Sequence, residues 1–205
     1  DLKNYYSVDE IIYELKEALL NNKNIDYITF TGSGEPTLYK DLKKLIYEIK
    51  QITDIPVCVI TNASLLYKQE MRSNLLLADL IIPSLDAGNE DTFKLIDNPN
   101  KEIDFDKMVE GLIEFKGEYW LEIFLLKDIN DSEDELDDII KIVKKIKPDR
   151  IQLITATRRV ANEKAKALTD EELKKIKKYF NAKCDTQVDI PNVSENHKGN
   201  TKKIT

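Results

Sequence analysis

A glycine-rich turn that carries a carboxylate follows the first β-prone run of the sequence. The turn reads Gly32-Ser33-Gly34-Glu35-Pro36. Glycine lets a backbone approach a ligand closely, Glu35 can accept hydrogen bonds from an ammonium group or a hydroxyl, and Pro36 stiffens the turn. This combination fits an amino-acid moiety. The alternative is a tight strand-to-helix turn in which Glu35 is solvated, and the spacing differs from the GxGxxG pattern of a dinucleotide site.

Further polar residues stand where later apolar runs end. They are Asn62, Ser84, Asp86, Lys127, Arg158 and Arg159. Because a rigid sheet holds the residues at the C-terminal ends of parallel strands around one crevice, we expect these side chains to surround a polar ligand. The first three can instead cap the helices that follow them. The three cations can instead be solvated surface charges.

Glu122 differs from these residues because it lies inside an apolar run, residues 120–126. An ionised carboxylate within such a strand is costly unless it is paired or faces a wet cavity. The sequence therefore makes Glu122 a ligand candidate, unless its strand lies at the edge of the sheet, where a carboxylate would be ordinary.

Helical and β-prone segments alternate along the chain. Ser7 and Glu10 have the spacing of a capping box at the start of the first helix, and apolar residues at helical spacing predict further helices between short apolar runs. The predicted strands are residues 27–31, 57–61, 80–85, 120–126, 151–155 and 187–190. Their continuous apolar character is typical of parallel strands buried on both faces. About six such units predict an α/β fold with a parallel sheet, either open or a partial barrel.

The composition limits the classes of protein and of site. A formal net charge of −7 argues against broad binding of a phosphate backbone, although a local basic patch can still contact RNA. No apolar run approaches the roughly 18 to 20 residues that a bilayer span requires. Cys58 and Cys184 lie far apart in the sequence and cannot form a disulfide framework. Together with the single histidine, His197, they also cannot form a closed metal site. We expect a cytoplasmic monomer with no membrane contact, one domain over residues 1–190 and a polar tail over residues 191–205.

Three strand-end segments, taken together, resemble the radical S-adenosylmethionine (SAM) enzymes. They are residues 27–38, 59–66 and 78–86, and the likeness continues through residues 94–99, 120–127 and 148–153. It therefore covers nearly all of residues 7–180. It is nearest the subgroup that includes the archaeal tRNA wybutosine-synthesis enzymes. The resemblance implies a partial (β/α)6 barrel of parallel strands with outer helices, which binds SAM across its strand ends.

The resemblance also implies which residues contact the cofactor. Gly32, Gly34 and Glu35 match the GGE-type motif that holds the methionine amino group, with Ser33 as a variant. Asn62, Ser84 and Asp86 are expected near the methionine carboxylate or the ribose, and the backbone of residues 153–155, with Ile154 at its centre, near the adenine. Glu122 joins these cofactor-binding candidates because of its position within an apolar strand, not because of the resemblance.

The family binds a [4Fe-4S] cluster through a CxxxCxxC segment that comes before the helix beginning at Ser7. The sequence starts after that point, and neither Cys58, in mid-strand, nor Cys184, beyond the last helix, replaces the segment. We expect the first barrel strand and the cysteine loop to lie upstream, and the chain alone to be inactive. Without such a segment, the chain would be a degenerate relative.

With that segment, the resemblance implies reductive cleavage of SAM to methionine and a 5′-deoxyadenosyl radical. The radical would abstract hydrogen from a substrate, which can be tRNA, a peptide or a small molecule, and an electron donor would serve the cluster. We expect Lys127 and Arg158 to act as catalytic residues on the substrate side, with Arg159 beside them, because all three lie just after predicted strands. Two alternatives remain open. One is a barrel lyase that uses Lys127 as a Schiff-base amine, and the other is a module that binds SAM or a nucleoside without a cluster.

Overall fold

The computed structural model describes residues 6–32, 34–156 and 166–191, and within them it contains six strands and seven helices. The strands are β1 (Ile28–Phe30), β2 (Val57–Thr61), β3 (Leu80–Pro83), β4 (Trp120–Leu125), β5 (Arg150–Thr155) and β6 (Gln187–Asp189). The helices are α1 (Val8–Asn21), α2 (Leu42–Ile52), α3 (Gln69–Leu75), α4 (Glu90–Asp97), α5 (Phe105–Glu114), α6 (Glu133–Ile146) and α7 (Asp170–Lys183). A single 3-10 turn, Pro36–Leu38, follows β1. These bounds confirm the predicted alternation of helices and strands.

The six strands run parallel and follow one another in chain order. β1, β2 and β3 form one hydrogen-bonded sheet, and β4, β5 and β6 form a second. Isolated parallel bridges pair Ile81 with Tyr119 and Ser84 with Glu122, so that β3 lies beside β4 at what we call the β3–β4 seam. Parallel strands in chain order, with helices between them, confirm the predicted α/β fold and form a partial barrel.

The helices form because their sequences supply both amphipathic spacing and N-terminal caps. Complete capping boxes begin α1, with Ser7 and Glu10, and α7, with Thr169 and Glu172. Side-chain caps also begin α4, α5 and α6. The apolar faces of the helices pack with alternate strand residues in one core cluster. The helices therefore cover the outer face of the strands, and the opposite, concave face is free to line a site.

Burial on the concave face differs between the two sheets. In the first sheet, Cys58, Leu80 and Ile82 form a small apolar cluster on that face, so β2 and β3 are buried on both sides. In β4 and β5, buried residues alternate with half-buried ones. Glu122 and Gln152, neighbours in the register, are two of the half-buried residues. The prediction that the strands are buried on both faces is therefore confirmed for β2 and β3 and wrong for β4 and β5. It is also wrong for β1 and β6, which include the exposed residues Thr29 and Gln187.

No helix within the described ranges is both long enough and apolar enough to cross a membrane. Several residues singled out in the sequence lie outside the described residues: Ser33, Arg158, Arg159, His197 and the rest of the polar tail beyond Pro191. The roles expected of them stay predictions.

Candidate functional site

An open cleft of about 330 Å³ lies at the C-terminal ends of the first three strands. Its lining comes from the turn after β1 and from the ends of β2 and β3, and consists of Thr31, Gly32, Gly34, Glu35, Pro36, Ile60, Thr61, Asn62 and Ser84. The fold thus brings together five of the predicted cofactor-binding residues, which are Gly32, Gly34, Glu35, Asn62 and Ser84. A cleft of this size suits a small polar molecule or one part of a larger one.

The Glu35 carboxylate is held by four donors from two elements. Its Oε1 accepts hydrogen bonds from the Thr37 N–H at 3.0 Å, the Thr37 hydroxyl at 2.6 Å and the Thr61 hydroxyl at 2.5 Å. Its Oε2 accepts from the Asn62 N–H at 2.8 Å. Thr37 is 1% exposed and Thr61 is 2% exposed, so water cannot readily replace these donors. Glu35 therefore turns toward the end of β2, in contrast to the solvated side chain of a simple surface turn.

Gly32 and Gly34 leave open space beside the backbone of the turn. A Cβ added at either position would meet nothing within 4 Å in the described part of the chain. At Gly88 and Gly111, by contrast, a Cβ would overlap the backbone of a neighbouring element. Packing therefore explains Gly88 and Gly111 but not the two glycines of the turn. Because Gly32 and Gly34 line the cleft, a bound molecule can approach the backbone there.

Neither Asn62 nor Ser84 caps a helix. The Asn62 Oδ1 accepts a hydrogen bond from the Ser64 N–H at 3.0 Å, which closes a local turn around Ala63, whose φ is 62°. The Ser84 hydroxyl donates to the Glu122 Oε1 at 3.5 Å across the β3–β4 seam. The alternative role as helix caps is therefore excluded for both residues.

Near one end of the β3–β4 seam, hydrogen bonds made by the side chains of Asp86 and Asn130 take the place of backbone hydrogen bonds between the strands. The Asp86 Oδ1 accepts from the Phe124 N–H at 2.8 Å. The Asn130 amide donates to the carbonyls of Asp86 and Phe124, each at 2.8 Å, and its Oδ1 accepts from the Leu126 N–H at 2.7 Å. Asn130 is fully buried. The sequence did not single it out, because nothing in the polar run 127–131 distinguishes a buried amide from a solvated one.

Three carboxyl groups around the seam have raised pKa values. Loss of hydration raises the pKa of Asp86 well above its usual range, and the nearby charge of Asp97 adds to the effect. Burial also raises the pKa of Glu122, an effect that the Ser84 hydroxyl partly offsets, and raises the pKa of Asp97 to about 6. Negative charge is thus unfavourable here, and a bound cation would favour the ionised carboxylates.

Lys127 and Ile154, at the ends of β4 and β5, lie in different surroundings. The Lys127 Nζ donates to the Glu172 Oε1 at 2.6 Å, at the N-terminus of α7. This hydrogen bond raises the pKa of Lys127 and, together with bonds from Thr169, lowers the pKa of Glu172 to about 2. Ile154 is half-buried and shares its register position with Phe124. Lys127 is therefore held in an ion pair, and Ile154 offers an apolar contact to the concave face.

The residues present fit SAM but not an iron–sulfur cluster. Across the described ranges, no three His, Cys, Asp or Glu side chains are grouped so as to hold a metal ion. Cys58 is buried within β2, where burial raises the pKa of its thiol to about 11, and Cys184 follows α7. The cleft, in contrast, offers open space beside two glycines and a fixed carboxylate for an ammonium group.

Comparisons with known proteins identify relatives of this chain. It is 82% identical over 208 residues to a protein of Brachyspira hyodysenteriae named GTPase Obg, a match that covers all of this chain and 31% of that protein. It is 32% identical over 185 residues to the UPF0026 protein MJ1312 of Methanocaldococcus jannaschii, which covers 87% of this chain and 57% of that protein. The chain thus spans about a third of the first relative and somewhat over half of the second.

The fold is similar to that of Streptococcus suis SuiB, whose structure was solved bound to S-adenosylmethionine. The TM-score is 0.70, and the sequence identity is 17% over 93% of this chain and 44% of that chain. At that identity, the likeness shows the shared fold. Residues 1–143 match the sequence profile of the family described as the Radical SAM superfamily. Because this match covers more than half of the sequence, the chain belongs to the radical SAM superfamily.

Proposed function

We propose that this chain is the SAM-binding core of a radical SAM enzyme and that the cleft holds the methionyl part of SAM. The observation that carries the proposal is the Glu35 carboxylate, which lines the cleft with Oε1 filled by three donors and Oε2 by one. Since a carboxylate oxygen has two lone pairs, Oε2 can accept one more hydrogen bond. An ammonium group is a donor of the right charge for that position.

Other residues of the site extend this arrangement along the strand ends. The space beside Gly32 and Gly34 lets the methionyl group contact the backbone. Ser84 and Glu122, joined across the seam, would face the ribose, and Ile154 would pack against the adenine. Bound SAM supplies, in enzymes of this superfamily, a 5′-deoxyadenosyl radical that abstracts hydrogen from a substrate. The residues of this chain bind and orient SAM, and its positive charge favours the ionised form of the seam carboxyl groups, whose pKa values burial raises.

The substrate side of the proposal has less support. The relatives and the structure named above do not include a wybutosine-synthesis enzyme, so that subgroup, and tRNA as substrate, have no support in these comparisons. A peptide or small-molecule substrate, an electron donor, a monomeric state and a cytoplasmic location also stay predictions. So does a catalytic role for Arg158, which lies outside the described residues.

The surroundings of Lys127 argue against the lyase alternative. A Schiff-base lysine needs a lowered pKa, so that its amine is neutral and nucleophilic. The hydrogen bond to Glu172 raises the pKa of Lys127 instead. A role for Lys127 on the substrate side would require the bound substrate to compete with Glu172 for the ammonium.

A SAM-binding module without a cluster is the second candidate. The open space beside Gly32 and Gly34 and the fixed Glu35 carboxylate, which the proposal assigns to SAM, do not themselves require a cluster. Formation of 5′-deoxyadenosine from SAM by the natural full-length protein, under reducing and oxygen-free conditions, would support the enzyme. SAM binding without any such product would support the module.

Calorimetric titration of the chain with SAM tests the proposed site. We expect saturable binding that Glu35→Gln weakens at least about tenfold, because the neutral amide loses the charge that attracts an ammonium. Glu110→Gln, on the exposed side of α5, is the matched control and should bind as the wild type does. Equal affinity of all three proteins for SAM, or no binding by the wild type, would refute the proposed site.

A further inference from the structure

The hydroxyl of Thr61 has its single proton directed at the site carboxylate. Thr61 ends β2 and is 2% exposed. Its Oγ1 accepts from the Ala63 N–H at 3.2 Å and lies 2.5 Å from the Glu35 Oε1. Because a hydroxyl has one proton and the carboxylate has none, Thr61 must donate to Glu35.

The same carboxylate oxygen receives a second hydroxyl and a backbone donor. The Thr37 hydroxyl donates to Oε1 at 2.6 Å, and the Thr37 N–H donates at 3.0 Å. With three donors, Oε1 has no acceptor position left, whereas Oε2 receives the Asn62 N–H alone among the residues that the structure describes. The two oxygens of Glu35 are therefore not equivalent.

The two hydroxyls act on the torsion that decides which oxygen faces the cleft. The terminal torsion of a glutamate side chain is broad, so an unrestrained carboxylate rotates easily. Two buried hydroxyl donors from separate elements, Thr37 in the 3-10 turn and Thr61 at the end of β2, remove that freedom. Fixing a binding group before the ligand arrives lowers the cost of ordering it.

We infer that Thr61 and Thr37 are positioning residues for recognition of the SAM α-ammonium group, an inference that rests on the proposed function. They fill Oε1 and so present Oε2 of Glu35, with one free acceptor position, to the cleft. Their role is specific to the ammonium: the adenosyl and carboxylate parts of the ligand do not depend on which oxygen is presented.

The test uses two ligands and three variants. The ligands are SAM and its deaminated analogue, in which hydrogen replaces the α-ammonium, and their affinities for the chain are measured by calorimetry. Thr61→Val keeps the shape of the side chain but cannot donate, and Thr61→Ser keeps the donor. Thr37→Val removes the other hydroxyl while leaving the Thr37 N–H in place. Circular dichroism establishes that each variant is folded, and Thr37→Val carries the test if Thr61→Val does not fold.

We expect Thr61→Val and Thr37→Val each to weaken SAM binding about tenfold, the usual effect of a hydrogen bond to a charged group. Thr61→Ser should restore the wild-type affinity, and the deaminated analogue should bind all of these proteins equally. Loss of affinity for both ligands alike would show a structural role and overturn the inference. So would unchanged SAM binding by both valine variants, an outcome that leaves the proposed function intact. Failure of the wild type to bind SAM would overturn both.

Discussion

The two sheets of the partial barrel share one architecture but place their polar groups differently. On the concave face of the first sheet, the apolar cluster of Cys58, Leu80 and Ile82 forms a floor, and the polar groups gather in the turn beyond the strand ends. In the second sheet, polar residues lie within the strands. Glu122, Gln152 and Asp189 occupy neighbouring register positions on β4, β5 and β6.

The charges of the second sheet are unequally compensated: Asp189 lies near the cations of Arg150 and Lys177, whereas Glu122 contacts a hydroxyl. The Arg150 guanidinium lies 4.5 Å from the centre of the Trp120 ring and 3.5 Å from Asp189. Glu122 has the Ser84 hydroxyl at 3.5 Å and a raised pKa. In the first sheet, by contrast, Glu35 has four short hydrogen bonds. The first sheet therefore offers a preorganised binding group, and the second offers a half-buried polar surface along which a larger ligand can lie.

The β3–β4 seam joins these two regions, and Asn130 is its most buried polar contact. Replacing Asn130 with Ala would leave the carbonyls of Asp86 and Phe124 and the N–H of Leu126 without their partner. We expect the free energy of unfolding, measured with urea, to fall by about 3 kcal/mol, since unsatisfied buried groups cost the most. Asn21→Ala, an exposed control on α1, should change it by less than about 0.5 kcal/mol. A small loss for Asn130→Ala would show that the seam does not depend on this side chain.

A substitution in the glycine turn after β1 should weaken SAM binding without changing the stability of the protein. Because a Cβ at Gly34 meets nothing in the described protein, we expect Gly34→Ala to keep the free energy of unfolding within about 0.5 kcal/mol of the wild type. The methyl group would occupy space that the ligand needs, and SAM affinity should fall about tenfold. Calorimetry with SAM and urea unfolding measure the two effects. A variant that is destabilised but binds SAM normally would contradict this account.

The free energy of unfolding should depend on pH through Glu122, which lies on the concave face of the second sheet. The pKa of Glu122 is raised in the folded chain, so ionisation is less favourable there than in the unfolded chain. Stability is therefore lost as the pH rises above the unfolded pKa, and the loss is complete above the folded pKa. Glu122→Gln removes this loss. We expect the stability of the variant relative to the wild type, measured as the free energy of unfolding, to be greater at pH 8 than at pH 4. A difference that stays constant between these pH values would rule out titration of Glu122 as its cause.

Loss of the ion pair between Lys127 and Glu172 should have the smallest effect on stability and on SAM affinity. Lys127 and Glu172 are both partly exposed, and exposed pairs contribute little to stability. We expect Lys127→Met to shift the midpoint of thermal unfolding by no more than about 2 °C and SAM affinity by less than about twofold. A larger loss of SAM affinity would place the Lys127 ammonium in the cofactor site.

Local patterns in the sequence predict most of the fold. The capping box of α1 and the apolar spacing of the helices locate the helices, and the apolar runs locate the six strands, because these signals lie within one element. Alternating burial in β4 is less visible, since both Trp120 and Phe124 are apolar but lie half-buried on the concave face. Hydrophobic character alone does not distinguish a buried face from one that lines a cavity.

The sequence does not predict which residues that are distant along the chain contact one another at the site. The turn after β1 is recognisable, yet the donor from Thr61, 26 residues away, is not. Likewise, the partner of Lys127 lies 45 residues away on α7, and the burial of Asn130 depends on how β3 meets β4. These contacts depend on the packing of separate elements, for which no spacing rule exists.

Titration of the isotope-labelled chain with SAM, followed by amide NMR, shows where on the chain SAM binds. The proposed SAM site requires saturable chemical-shift changes at Gly32, Gly34 and Asn62, which line the cleft together with Glu35. Smaller changes should follow at the ends of β4 and β5. An absence of changes at these three amides at saturating SAM, or changes confined to the second sheet, would contradict it.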